Sequence, residues 1–359
     1  MRITEIETAR VDLPLAEPLL TSMHRIASVS CLLVTLRTDE GVSGEGYAFC
    51  FGRERLLVLD AMIEALKPSV IGRDPFQVEA IWTDMFRSMN FFGQAGVAII
   101  AMTPLDVACW DIVGKATGQP LHRLFGGARE RVPLYASGGL WLSAGPEALA
   151  EEARGFLAQG FKAMKLRLGN LPVAKNIERV EAVRDAIGPD IALMADANQG
   201  LSVPDAIRLG RELERFNLVW FEEPVPTWNH HGHAEIARAL DTALASGETE
   251  YVRHGIQNML ERRAADILMP DLQRMGGYTE FRNVIGQMAA FDVPFSPHIF
   301  TEHSLHLAMP GCLYVEHMPW FGALFHETME IDADGMTAIP DRPGTGFTFD
   351  HDALDAHRF

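Results

Sequence analysis

Apolar and polar positions change their rhythm near Val132, and that change divides the chain. Before it, ITEIETARVDL and SCLLVTLRTDEGVSGEGYAF alternate with the two-residue period of strands, the second around the turn signal Asp39-Glu40-Gly41. Helical patterns follow in RLLVLDAMIEALKPSVIG, DPFQVEAIWTDMFRSM and VAIIAMTPLDVACWDIVGKATG. Strands grouped ahead of helices predict a separate α+β unit. Beyond Val132, short apolar runs alternate with helical stretches, and the predicted strands are VPLYASG, KAMKLRLG, IALMADAN, LVWFEEP, ALASGET, DILMPDL, VPFSPH and LYVEH. One intervening helix, VPDAIRLGRELERF, has Ser202 as its cap and Pro204 in its first turn. Eight such strands predict a closed parallel barrel. The final stretch, MEIDADGMTAIPDRPGTGFTFD, holds no further barrel unit and is expected to return to the first unit. The expected domains are therefore 1–126, 127–321 and 322–359.

Composition narrows the function. The 359 residues suit a barrel of about 250 residues with a smaller partner unit. A hydrophobic share of 48% with 22% charged residues fits a soluble protein with a large core. The net charge of −17 opposes nucleic-acid or anionic-membrane binding, but it allows a small anionic carboxylate if a bound divalent cation reverses the local field. Cys31, Cys50, Cys109 and Cys312 form no C-x-x-C pair, so buried reduced thiols in a cytoplasmic protein are expected. MRITEIETARVDLPL lacks a signal-peptide layout, and no apolar run is expected to span a bilayer.

The candidate chemistry gathers at strand ends. Asp196, Glu222 and Glu248 recur at intervals of 26 residues, one strand plus one helix apart, so three consecutive strands each deliver a carboxylate to one rim. Three hard oxygen donors make a site for Mg²⁺. Side chains two apart on a strand share a face, which pairs Lys165 with Arg167 and Asp196 with Asn198. Asp271 and His298 end adjacent strands, where a carboxylate fixes the imidazole tautomer and raises the basicity of its free nitrogen. Glu316, on the last strand, is placed to donate a hydrogen bond if an apolar setting keeps it protonated. In the first unit, LLTSMHRIAS reads as a specificity loop carrying Thr21, Ser22, His24 and Arg25, with Arg25 suited to a distal carboxylate. Phe49 to Arg53 is expected to add a second wall, while Phe91 and Phe92 fit cap core equally well.

The series GFKAMKLRLG, MADANQG, WFEEP, SGET, MPDLQRMGG and SPHIFTEHSLHLAMPGCLYVE, with TPLDVACWDIVGKATGQPLHRLFGG ahead of it, resembles the enolase superfamily and its mandelate racemase subgroup. The resemblance covers essentially the whole chain. It implies a modified TIM barrel, (β/α)₇β, closed by an α+β capping domain built from both termini. It also implies Asp196, Glu222 and Glu248 as Mg²⁺ ligands, Asp271 and His298 as the base dyad, and Glu316 as the electrophile. One position departs from the subgroup. Its second-strand motif is commonly K-x-K, with the second lysine a base, whereas this chain has Arg167, a poor proton acceptor at neutral pH.

The chemistry implied is removal of the proton next to a carboxylate, giving an ene-diolate. With His298 the one conventional base, β-elimination of water from an aldonate or aldarate to a 2-keto-3-deoxy acid is the leading reading, and racemisation, epimerisation or cycloisomerisation the runner-up. Two readings from other classes stand beside it. His231 and His233 form an H-x-H pair of the kind that binds zinc in barrel hydrolases, although NHHGH reads as a solvated loop. A non-catalytic ligand-binding barrel is the other, because a fold alone does not imply turnover. A homo-oligomer is expected.

Overall fold

The computed structural model describes residues 1–23 and 25–359. The first unit is an antiparallel sheet of β1 (Ile3–Leu20), β2 (Arg25–Thr38) and β3 (Ser43–Cys50) in that order. Its turn lies where Asp39-Glu40-Gly41 predicts it, with Thr38 N–H donating to Val42 O at 3.2 Å. Helices α1 (Arg53–Leu66), α2 (Val78–Ser88) and α3 (Val97–Thr117) follow. Gly44 and Gly46 of β3 lie so close to α3 that a Cβ on either would strike the carbonyls of Ala108 or Pro104. Their lack of side chains sets the distance between helix and sheet.

Helix α3 corrects one expectation. It has 21 residues and a mean hydropathy of 1.6, long and apolar enough to cross a membrane, yet 83% of that apolar stretch is buried inside the protein. It is the central helix of the first unit, apolar all round because it is covered all round. Phe91 and Phe92 are not core: both are exposed.

The second unit is built on β4 (Arg131–Ala136), β5 (Ala163–Arg167), β6 (Ala192–Asp196), β7 (Phe221–Glu222), β8 (Leu244–Ser246) and β9 (Ile267–Leu268), parallel in sequence order, with β10 (Val315–His317) beside β4. VPFSPH forms no regular strand. Pro294 and Pro297 lack the N–H groups a ladder needs, so the segment joins the barrel through single bridges, Leu268 to Phe295, Asp271 to His298 and Phe295 to Cys312. Tyr135, Met194, Trp220, Ala245 and Met269 fill the interior as one buried cluster. The fold is the modified (β/α)₇β barrel with an α+β cap. The helix Val203–Leu213 begins as predicted, with Ser202 Oγ accepting from Asp205 N–H at 3.3 Å.

The C-terminal stretch does more than return to the cap. β11 (Met336–Ala338) pairs antiparallel with barrel strand β4. The segment also meets the cap on both sides of β11, where Phe325 packs edge-on to Tyr47 at 5.9 Å, Thr345 N–H donates to Asp111 Oδ1 at 2.9 Å and Phe349 N–H to Glu45 Oε2 at 2.9 Å. Cap and barrel are also joined directly. Trp82 Nε1 donates to Gly276 O at 3.0 Å, and Thr279 Oγ1 to the buried Asp106 Oδ1 at 2.5 Å. Such paired buried groups hold the cap in one register over the barrel.

Candidate active site

The inward face of the barrel dictates the site. Met194 and Trp220 point into the interior cluster, so two residues later Asp196 and Glu222 point inward nearer the strand ends. Ala163 belongs to that cluster too, which turns Lys165 and Arg167 inward, and Met269 does the same for Asp271. Strand pairing sets Arg167 beside Asp196, and Asp196 beside Glu222.

Lys165 is 1% exposed, and its Nζ lies 2.6 Å from Glu222 Oε1, 3.2 Å from Glu316 Oε1 and 3.7 Å from Asp196 Oδ2. Burial disfavours its charge, but Glu222, Glu316 and Asp196 outweigh burial and raise its pKa above the ordinary lysine value. His298 Nδ1 meets Asp271 Oδ2 at 2.7 Å, so the ring proton toward Asp271 leaves Nε2 as the reactive nitrogen, 3.2 Å from Glu248 Oε2. Burial opposes charging of the imidazole, and Glu248 with Asp271 nevertheless raises it to about 9. Asp271 is itself fixed by Arg274, whose N–H donates to Oδ1 at 2.9 Å.

Glu316 differs from expectation. Burial favours its neutral form, but Lys165, His298, Arg167 and Ser137 prevail and hold its carboxyl below the usual range. It accepts from Ser137 Oγ at 2.5 Å and from Ile299 N–H at 2.9 Å. In the resting protein Glu316 is thus an ionised acceptor, not a protonated donor. Arg167 donates through Nη1 to Ser137 O and through Nη2 to Ser137 Oγ, each at 2.9 Å, while its guanidinium lies 4.4 Å from the ring centre of Trp141. Ser137, two residues beyond inward-facing Tyr135, therefore links Arg167 to Glu316. The sequence signal for it is the same two-residue period that exposes Lys165 and Arg167.

These groups border a cavity of about 350 Å³ between barrel and cap. Asp196, Glu248, Asn198, Thr21 and His298 all line it, as do Lys165, Arg167 and Glu316. Glu222 does not, because its oxygens are drawn to Lys165 and to Trp220 Nε1 at 2.8 Å, below the cavity floor. Its neighbour Glu223 does line the cavity, turned by a positive φ of 36° at the strand end. Asp196 is held by Asn198, whose N–H and Nδ2 donate to its two oxygens at 2.7 and 2.9 Å. Ser22, at the tip of the cap loop, donates to Asn198 O. His24 lies outside the described residues. Arg25 is exposed and does not line the cavity, whereas Arg55 does. Of the second wall, Phe49, Cys50 and Phe51 line the cavity, and Arg53 turns away to Asp12 Oδ2 at 2.9 Å.

A divalent cation fits this donor chemistry. Among the described residues no three His, Cys, Asp or Glu side chains stand ready arranged for a metal, since Glu222 is turned to Lys165 and Glu248 to His298. The donor set nonetheless suits one. Burial and the neighbouring carboxylates raise Glu222 to about 8, and burial with Glu248, Asp196 and Glu222 raises Glu223 well above its usual range. The carboxylates outnumber the local cations, and their oxygens are the hard donors that Mg²⁺ takes. The zinc alternative fails on geometry. NHHGH is not a loop but the cap and start of the helix His230–Ala239, where His233 is buried and His231 exposed, so the pair does not converge.

Residues 3–126 match the mandelate racemase/muconate lactonizing enzyme N-terminal domain, and residues 148–353 match the enolase C-terminal domain-like family. Over 98% of its length the chain is 33% identical to L-talarate/galactarate dehydratase of Salmonella typhimurium, covering 90% of that protein. It is also 33% identical to 3,6-anhydro-alpha-L-galactonate cycloisomerase of Streptomyces coelicolor, over 97% of this chain and 98% of the other. The L-talarate dehydratase of Polaromonas sp., solved with Mg and L-glucarate, superposes with a TM-score of 0.95 at 33% identity, covering 100% of this chain and 97% of that one.

Proposed function

The chain belongs to the mandelate racemase/muconate lactonizing enzyme family of the enolase superfamily, and from that premise we propose that it is a Mg²⁺-dependent acid sugar dehydratase. The observation that carries the reading is the His298–Asp271 pair at 2.7 Å, facing Lys165 across one cavity. Asp196, Glu222 and Glu248 are the Mg²⁺ ligands in this proposal, with Glu223 beside them. The ion, when bound, neutralises the substrate carboxylate and stabilises the ene-diolate.

The residues then divide the work. Lys165, kept charged by its carboxylate partners, donates to the substrate carboxylate as negative charge grows there. In its neutral form His298 takes the proton from C2 at Nε2, and Asp271 stabilises the imidazolium that results. The same imidazolium returns its proton to the hydroxyl leaving C3, so water departs and the enol tautomerises to a 2-keto-3-deoxy acid. Arg167 is a positioning residue, committed to Ser137 and stacked on Trp141.

Relatives include both dehydratases and cycloisomerases, and the isomerase reading is supported by Lys165, a second proton-bearing group lining the same cavity as His298. Incubation with Mg²⁺ and a panel of acid sugars in deuterated water separates the two. Accumulation of a 2-keto-3-deoxy acid supports the dehydratase. Deuterium at C2 without keto product refutes it. A small anionic carboxylate as substrate, a cytoplasmic setting and a homo-oligomer complete the proposal, the last supported by exposed Phe91 and Phe92 on the cap and checked by light scattering.

A further inference from the structure

The turn after β9, from Asp271 to Gly277, is held by the cap. Phe49 N–H donates to Gln273 Oε1 at 3.1 Å, Thr103 Oγ1 to Gln273 O at 3.0 Å and Trp82 Nε1 to Gly276 O at 3.0 Å. Within the turn, Arg274 N–H donates to Asp271 Oδ1 at 2.9 Å and Met275 N–H to Asp271 O at 3.0 Å. With its polar groups paired in this way, the turn is a fixed platform for the Asp271–His298 dyad.

Arg274 extends that platform to the segment that follows β8. Its Nη1 donates to Glu248 O at 2.8 Å and lies 3.5 Å from Asp271 Oδ2, while its own carbonyl accepts from Val252 N–H at 3.1 Å. One residue thus grips both ends of 248–252. Val252 is β-branched yet has a φ of 48°, in the left-handed region, and such strain persists only where the surroundings impose it. His230 Nε2 braces the middle of the segment, meeting Glu250 Oε1 at 2.7 Å. The Glu248 carboxylate that this segment carries reaches His298 Nε2 at 3.2 Å, so a shift of its main chain moves a candidate metal ligand and the neighbour of the reactive nitrogen together.

We propose that Arg274 is a positioning residue that locks the Glu248 segment to the Asp271–His298 dyad, so that one side chain sets both metal affinity and base geometry. This rests on Glu248 as a metal ligand and His298 as the base, as in the proposed function. Full-length Arg274→Met and Arg274→Lys are compared with the parent by Mg²⁺ titration calorimetry without substrate, by C2 deuterium exchange on the acid sugar panel at saturating Mg²⁺, and by a thermal melt. Arg274→Met should raise the Mg²⁺ dissociation constant and lower the kcat of exchange, each about 10- to 100-fold, with little change in KM, since loss of a group that orients a ligand has that cost. Arg274→Lys keeps a charged donor and should recover most of both. Folded Arg274→Met with both readings within twofold of the parent overturns the inference. So does a loss confined to one reading, which would make Arg274 a support for metal or base alone, or to KM, which would make it a substrate contact. If Arg274→Met does not fold, Arg274→Gln takes its place under the same criteria. Exchange in the parent without keto acid refutes the dehydratase and leaves the role of Arg274 to the variants; absence of exchange with every acid overturns both.

Discussion

Replacing Ser137 by alanine tests the link between Arg167 and Glu316. The hydroxyl is fully buried, donates to Glu316 Oε1 at 2.5 Å and accepts from Arg167 Nη2 at 2.9 Å. Its loss leaves one oxygen of an ionised carboxylate and one guanidinium nitrogen each short of a partner. Glu316 keeps Ile299 N–H and Lys165, and Arg167 keeps Ser137 O, so neither group is released entirely. A hydrogen bond to a charged group contributes about 1.5–3 kcal/mol. If that energy positions the site, kcat/KM falls about 10- to 150-fold. Steady-state kinetics on the best acid of the panel, with a thermal melt alongside, measures it. Activity within twofold of the parent refutes the link. So does a fall in melting temperature with unchanged kcat, which would make Ser137 a purely structural group.

Other perturbations report on the remaining parts. His298→Asn should lower kcat by about 10²- to 10⁴-fold and stop C2 deuterium exchange, since a positioned general base contributes that much; retained exchange would assign the base elsewhere. Chelation of Mg²⁺ should abolish turnover reversibly, and re-addition at about 100 times the dissociation constant should restore about 2.7 kcal/mol of stability, read by denaturant titration. His303 is buried with both ring nitrogens unpartnered, and burial holds its pKa down at about 3. Its folded value lies below the unfolded one, so its contribution is complete above about pH 6.5 and is lost as pH falls toward 3. Asp106 and Glu302, raised by burial to about 7, act in the opposite sense, so the comparison must be between proteins. His303→Phe should flatten the acid decline in melting temperature, and an unchanged slope would contradict the assignment.

What was legible in the sequence is what strand geometry repeats. The period of two placed Lys165 with Arg167, and the spacing of 26 residues placed Asp196 and Glu222 at the ends of successive strands and Glu248 just beyond the next, because both follow from local backbone geometry. The dyad was legible for the same reason, although the strand carrying His298 proved to be a pair of prolines held by bridges. Misplaced features depend on packing between distant segments. Glu223 enters the cavity through a strand-end turn, Trp141 and Trp320 meet from distant loops, and Arg25 faces solvent while Arg55 reaches the mouth. The protonation of Glu316 was not legible because it depends on Lys165, His298 and Arg167 together.

The same charge balance orders binding. The protein carries −17 overall, but at physiological salt charges beyond about 8 Å are largely screened, so a carboxylate substrate responds chiefly to the cavity floor. Lys165 is already engaged by Glu222 and Glu316, and Arg167 by Ser137, which leaves Asp196 and Glu248 as the carboxylates an incoming acid meets on the cavity wall, with His298 beside Glu248. Without a divalent cation an acid sugar meets like charge there; with one, the local sign reverses. Affinity for the acid should therefore depend on Mg²⁺ even in a His298→Asn protein that does no chemistry. Titration calorimetry of that variant with and without Mg²⁺ isolates the effect, and equal affinity in both would mean that Lys165 alone holds the carboxylate.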